Sequence, residues 1–206
     1  TSSIMIGDNA TGTIDAADNN TGLGVDVFAA LTSGDDNTAV GKNALNAATT
    51  GHSNTAIGKA AGEAITTGSE NVFVGERSGD ALTEGTNNTG VGHKALSSAT
   101  TANSNEAFGN DALQALTTGT RNVAIGSFTL DALTTANDNT AVGYQALSAN
   151  TSGTSNVAIG AAALDANTTA SGNNAVGHNA LGANTTGASN NAMGQQALLA
   201  NTTGAG

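Results

Sequence analysis

Small apolar residues recur along this chain on a fixed beat. A short run such as Thr-Ala-Val ends in Gly, Ala-Leu follows after two variable residues, and Thr-Thr precedes a second Gly or Ala. NTAVGYQALSANTSGTS (139–155) leads directly into NVAIGAAALDANTTASG, NNAVGHNALGANTTGAS and NNAMGQQALLANTTGAG. Laid out from Ser3, the chain divides without insertion or deletion into twelve blocks of seventeen: 3–19, 20–36, 37–53, 54–70, 71–87, 88–104, 105–121, 122–138, 139–155, 156–172, 173–189 and 190–206. Place five is Gly in every block, from Gly7 to Gly194, and place one is Asn in every block except the first, where Ser3 stands.

A block this short buries too few side chains to fold alone, so neighbouring blocks must stack. The pattern therefore predicts an all-β fold, a parallel β-solenoid of twelve coils. With no linker, Pro or Ser-rich hinge to divide it, 1–206 reads as one repeat domain.

Places one to five, rich in Thr, Val and Ile, predict a strand. The large residues at place four (Val40, Ile57, Val91, Phe108, Ile125, Val142, Ile159) and the Thr or Val at place two share one face, and their apolar character assigns that face to the interior. The Ala and Gly of places three and five then form a bare outer face, either a very flat surface or one against which something packs closely.

Leu at place nine (Leu45, Leu96, Leu113, Leu130, Leu147, Leu164, Leu181, Leu198) reads as core. The Ala-Leu spacing also resembles a turn or two of helix. Stacked coils are about 4.8 Å apart, too close for packed helices at about 8 to 10 Å. A tight or 3₁₀-like corner in a straight solenoid is the favoured reading, with a curved strand-plus-short-helix solenoid as the alternative. Place twelve changes from mostly aliphatic (Ile14, Leu31, Ile65, Leu82, Leu116, Leu133) to Asn150, Asn167, Asn184 and Asn201, whose stacked amides can hydrogen-bond along the column. That exchange predicts a narrower or wetter interior in the last coils. The final block stops at Gly206 without a polar cap, which leads us to expect a segment of something longer or an end-to-end contact.

The composition narrows the chemistry. Aromatic residues make up 2% of the chain, Pro, Cys and Trp are absent, and the formal charge is −11 with only five Lys plus Arg. That balance argues against nucleic acid or an anionic membrane as partner. Without Cys there is no disulfide framework and no thiolate metal site. No apolar run is long enough to span a bilayer, and the first residues lack a basic region and an apolar signal core.

Catalytic candidates are sparse. His52, His93 and His178 are too scattered to share a ligand, so they read as surface variation. Asp15, Asp18, Asp35 and Asp36 lie in neighbouring turns, close enough to hold a hard cation such as Ca²⁺, yet no calcium-loop spacing is present, and a solvated acidic patch is the favoured reading. The glycines recur at seventeen-residue spacing and make no phosphate loop. Sequons at Asn150 and Asn184 fall out of the repeat itself. Threonine columns raise ice binding as an alternative, but adjacent Thr residues point to opposite sides and leave one column outside. No catalytic residue, cofactor or resident metal is assigned, and the chain reads as a non-enzyme.

NVAIG at 122–126 and 156–160 and NTAVG at 37–41 and 139–143 resemble the strand motif of trimeric autotransporter adhesin heads. The whole repeat is similar to the shafts of bacteriophage tail fibres and related bacterial surface proteins. The resemblance implies a homotrimer whose aliphatics, Val123 and Ile125, fill the coil while Ala124 and Gly126 pack against a partner subunit. It also implies an extracellular or virion location. The function expected is therefore a fibre segment, the shaft or receptor-contacting part of a phage tail fibre or microbial adhesin. The alternatives are a self-assembling extracellular filament and an ice-binding solenoid. Partners expected are further copies of the chain, as a homotrimer or end to end, and a cell-surface glycan or protein receptor. The best contact candidates are variable corner residues at places six and seven: Tyr144, Phe128, His93, Lys94 and Arg77.

Overall fold

The computed structural model describes residues 3–7 and 16–206. Each block opens with a three-residue strand: β1 (Ile4–Ile6), β2 (Thr21–Leu23), β3 (Thr38–Val40), β4 (Thr55–Ile57), β5 (Val72–Val74), β6 (Thr89–Val91), β7 (Glu106–Phe108), β8 (Val123–Ile125), β9 (Thr140–Val142), β10 (Val157–Ile159), β11 (Asn174–Val176) and β12 (Asn191–Met193). They form one parallel sheet in sequence order, with equivalent residues paired, for example Thr38 with Thr55 and Val40 with Ile57. The protein is thus all-β, a β-solenoid with no helix among the described residues, and the curved strand-plus-helix alternative is set aside.

The strand parity is the reverse of the sequence expectation. Place three is buried in every coil from β2 onward, through Ala39, Ala56, Ala107, Ala124 and Ala141, whereas Leu23, Ile57, Phe108, Ile125 and Ile159 at place four are 40–50% exposed. Val123 and Ile125 therefore face outward and Ala124 inward, opposite to what the resemblance implied. The reason is volume. Where place nine is Leu, the interior of so narrow a coil is already occupied by that side chain and the residues of places eight and twelve, and the strand has room for no more than a methyl group.

The Ala-Leu segment is a corner of successive tight turns. Ala44 N–H donates to Gly41 C=O and Ala48 N–H to Leu45 C=O, closing one turn after another. Seven place-nine leucines, from Leu45 to Leu181, hold φ between 48 and 57°. That left-handed conformation costs about 1–2 kcal/mol per residue, and fully burying each Leu contributes about 1.5–3 kcal/mol. The burial carries the corner.

The glycine stripe also has a different cause from the one expected. Gly143 has φ +135°, and a Cβ on it would lie 2.6 Å from the carbonyl carbon and oxygen of Gly160 in the next coil. What packs against the stripe is the following coil of the same chain, so no partner subunit is needed to explain it.

Place one supplies the second organising feature. The Asn side chains from Asn20 to Asn190 are at most 4% exposed. Each backbone N–H from Asn37 onward donates to the Oδ1 of the preceding coil's Asn at 2.9–3.1 Å. The amide nitrogen reaches across its own coil, as when Asn122 Nδ2 donates to Ala136 C=O at 2.9 Å. One side chain thus closes a coil and ties it to the one before. At place twelve the expected amide column forms: Asn167 Nδ2 donates to Asn150 Oδ1 at 3.3 Å and Asn184 Nδ2 to Asn167 Oδ1 at 3.2 Å. All three are fully buried.

Candidate contact surfaces

Places six and seven follow directly on each strand, and Lys94 N–H donating to Glu76 C=O shows how the corner stacks coil on coil. Tyr144 is 54% exposed. It meets half-buried Phe128 of the preceding coil edge-on, with ring centroids 6.1 Å apart. Burying Phe128 beneath Tyr144 leaves the Tyr ring as the accessible half of the pair. Arg77 and His93 are exposed and Lys94 is half-buried, on two adjacent coils. His93 Nδ1 lies 3.1 Å from Asn110 Oδ1. The five candidates thus fall into two groups on one corner, Arg77 with His93 and Lys94, and Phe128 with Tyr144, separated by the coil that carries Asn110 and Asp111.

The remaining candidates resolve individually. Asp35 Oδ1 accepts the Asp18 N–H at 2.7 Å and Asp36 Oδ1 accepts from Asn19 Nδ2 at 3.1 Å, so these carboxylates tie neighbouring coils. Asp15 lies outside the described residues. Among the described residues, no three His, Asp or Glu side chains are grouped to hold a metal and no cavity is found. His52 and His178 are exposed and far apart. The sequon residues Asn150 and Asn184 are buried in the place-twelve column. The place-thirteen threonines turn their hydroxyls to the next coil, as Thr49 Oγ1 does to Thr66 C=O at 3.0 Å, leaving the place-fourteen column outside.

The feature that sequence reasoning misplaced is the outward face of the sheet. Places two and four form two parallel columns: mainly Thr or Val (Thr21, Thr38, Thr55, Val72, Thr89) beside mainly Val or Ile (Val40, Ile57, Val74, Val91, Ile125). Glu106 at β7 is the one ionisable residue in the two columns from β2 to β12, and partial burial among its neighbours raises its carboxyl above the ordinary range. The signal was present in the sequence: Ala recurs at place three more faithfully than any one residue at place two, as expected of the more confined position.

Acidic and basic residues are segregated along the two borders of this face beside β3 to β5, whereas Asp26 and Asp111 lie on the place-six and place-seven border elsewhere and Arg121 on the opposite one. After β3 to β6, places six and seven hold Lys42, Lys59, Arg77 and Lys94 against one carboxylate, Glu76. Before β2 to β5, places sixteen and seventeen hold Asp18, Asp35, Asp36 and Glu70, with no Lys or Arg. Lys59 pairs with Glu76 at 3.0 Å, which holds the Glu76 carboxyl below its ordinary range. Further along, Arg121 and Asp138 stand on the same place-seventeen border and make a two-pronged contact that lowers the Asp138 carboxyl.

Set against known protein families, curated proteins and solved structures, the chain finds no match.

Proposed function

We propose that this chain is a non-catalytic, load-bearing fibre segment, the shaft or receptor-contacting part of a phage tail fibre or microbial surface adhesin. It works outside the cell or on a virion and associates with copies of itself. The observation that carries this reading is the outward face, with Leu23, Ile57, Phe108, Ile125 and Ile159 each 40–50% exposed along one side of an uninterrupted sheet. A continuous apolar strip on a soluble chain marks an interaction surface. A second copy, carrying the same strip with the same coil repeat, is its natural complement. Stacked backbone ladders give the stiffness that a spacer needs. The paired Phe128 and Tyr144 offer an aromatic platform of the kind that receives the apolar face of a sugar ring or a receptor side chain. Sedimentation velocity tests the self-association: a mass two or more times 19.8 kDa is expected, and 19.8 kDa at every concentration contradicts it.

A second reading has one specific observation in its favour. Places two and four present the two alternating outward columns that an ice-binding array requires, with Thr21, Thr38, Thr55, Thr89 and Thr140 in one of them. Glu106, Asn174 and Asn191 interrupt that column. Thermal hysteresis at micromolar protein supports this reading, and its absence discards it.

A further inference from the structure

We infer that the Tyr144 corner is a saccharide site, an open notch one coil wide that takes a single flat, uncharged sugar ring between Tyr144 and His178. This inference rests on the receptor-contacting role proposed above and names the ligand class.

The chain has one Tyr and four Phe. Phe28 and Phe73 are buried and Phe108 stands on the sheet face, so Phe128 and Tyr144 are the two rings on the corner. Ala162 N–H donates to Tyr144 C=O at 2.9 Å and Asn179 N–H to Ala161 C=O at 3.0 Å, which stacks three coils directly on one another here. The first carries Tyr144 and Gln145 at places six and seven, the second Ala161 and Ala162, the third His178 and Asn179. No other coil from β2 to β12 has Ala at both places. Phe128 meets the Tyr144 ring from the preceding coil. On the side of the following coil only methyl groups stand at these places, and both Tyr144 and His178 are exposed.

Width decides how much fits. Tyr144 and His178 rise two coil spacings apart, about 9.6 Å. Carbon atoms in contact lie about 3.5–4.0 Å apart, so one layer touching both walls needs roughly 7–8 Å and two layers roughly 10–12 Å. A single ring enters, flat against Tyr144. The aromatic face receives C–H groups, while the Gln145 and Asn179 amides and the His178 imidazole supply donors and acceptors for hydroxyls at the rim. From Ser127 onward places six and seven carry no Asp, Glu, Lys or Arg, so nothing on this stretch of the corner selects a charged ligand. A ring held by both faces needs both free of axial hydroxyls. That requirement selects the all-equatorial pyranose, a β-glucoside.

Saturation-transfer NMR with methyl β-glucoside tests this, against methyl α-mannoside, whose 2-hydroxyl is axial. A dissociation constant on the order of 1 mM is expected for the glucoside on so open a site, with the mannoside binding more weakly. Because the chain has one Tyr and no Trp, Tyr144 emission reports the same event independently. Y144F keeps the ring and is expected to retain binding, whereas Y144A is expected to weaken it at least about tenfold. A161Q/A162Q installs the pair that the last coil carries as Gln195 and Gln196, so it is expected to fill the notch and abolish binding with the far-UV circular dichroism of the parent. No transfer to the glucoside at several times the expected dissociation constant overturns the inference. Binding that survives A161Q/A162Q, or a mannoside bound as tightly as the glucoside, overturns it equally. Each of these failures leaves self-association standing, because the variants spare the outward columns; a parent chain that binds the glucoside yet sediments as a monomer overturns the fibre reading and keeps the notch.

Discussion

Phe73 and Gly79 occupy one another's space. Phe73 stands at place three, where most other coils carry Ala, and Gly79 at place nine, where eight coils carry Leu. A Cβ on Gly79 would lie 2.4 Å from two carbons of the Phe73 ring, which is itself 1% exposed. The large side chain has moved from one wall of the coil to the other, and Gly90 in the next coil clears further room, since a Cβ there would lie 2.9 Å from the Phe73 ring.

This exchange predicts a compensated pair. Phe73→Ala empties a buried site and is expected to cost about 3–5 kcal/mol. Gly79→Leu drives a side chain into the ring, although the backbone there, at φ +60°, is close to the conformation that the place-nine leucines adopt. The double variant restores the common pattern of the repeat and is expected to regain most of the stability lost by each single change. Urea unfolding of all three chains measures the coupling; strictly additive losses contradict the shared-space account.

The asparagine ladder predicts a large effect from a polar side chain. Asn122 Oδ1 accepts from both the backbone N–H and Nδ2 of Asn139, at 3.1 and 3.2 Å, while its own Nδ2 satisfies the Ala136 carbonyl. Asn122→Ala is expected to cost about 1–3 kcal/mol for each buried partner left unpaired, whereas Thr118→Ala on the exposed place-fourteen column stays within about 0.5 kcal/mol. Asn122→Asp places a carboxyl in the same buried column. Burial raises its pKa in the folded state above the unfolded value, so the variant is most stable below the ordinary carboxylate range and loses stability as pH rises through the folded-state pKa. Thermal unfolding of this variant as a function of pH checks the sign.

The native carboxyls at place ten make a related prediction. Burial raises Asp80, Asp131 and Asp165 above their ordinary value, and the nearby Asp111 carboxylate pushes Asp131 further up. Groups raised on folding bind protons more readily in the native state, so their contribution is greatest below the ordinary aspartate range and is lost as pH rises through their folded pKa values. These groups are therefore expected to add thermal stability as pH falls through their raised pKa values toward the ordinary aspartate range. The triple variant D80N/D131N/D165N is expected to lose most of that pH dependence, and an unchanged profile contradicts the assignment.

How much of this was legible beforehand depends on the residue. The period, the solenoid, the strand after each Asn and the tight corner at Ala-Leu all follow from spacing, because coils stacked at sheet distance leave no room for helices. The direction of the strand faces did not follow. Large residues at place four, such as Ile125, read as core under the usual rule that bulk goes inside, but this coil is too narrow, and Leu130 from the opposite wall already fills the interior while Ala124 lines the strand side. Position-one Asn was legible as a register mark and not as a buried ladder, since an amide is ordinarily a surface residue. The charged borders became visible only once places two and four were turned outward.

Turning Ile125 and Ile159 outward is the step on which the proposed self-association depends, and the variant I125K/I159K addresses it directly by sedimentation velocity with far-UV circular dichroism. Because both side chains lie outside the coil, two lysines leave the fold intact while placing charge in the middle of the proposed interface. The predicted result is a parent chain heavier than 19.8 kDa and a variant with the parent spectrum that sediments at 19.8 kDa. Loss of the β spectrum in the variant would put the two isoleucines back in the core, and a variant still assembled at the parent mass would remove the outward face from the interface; either contradicts the account.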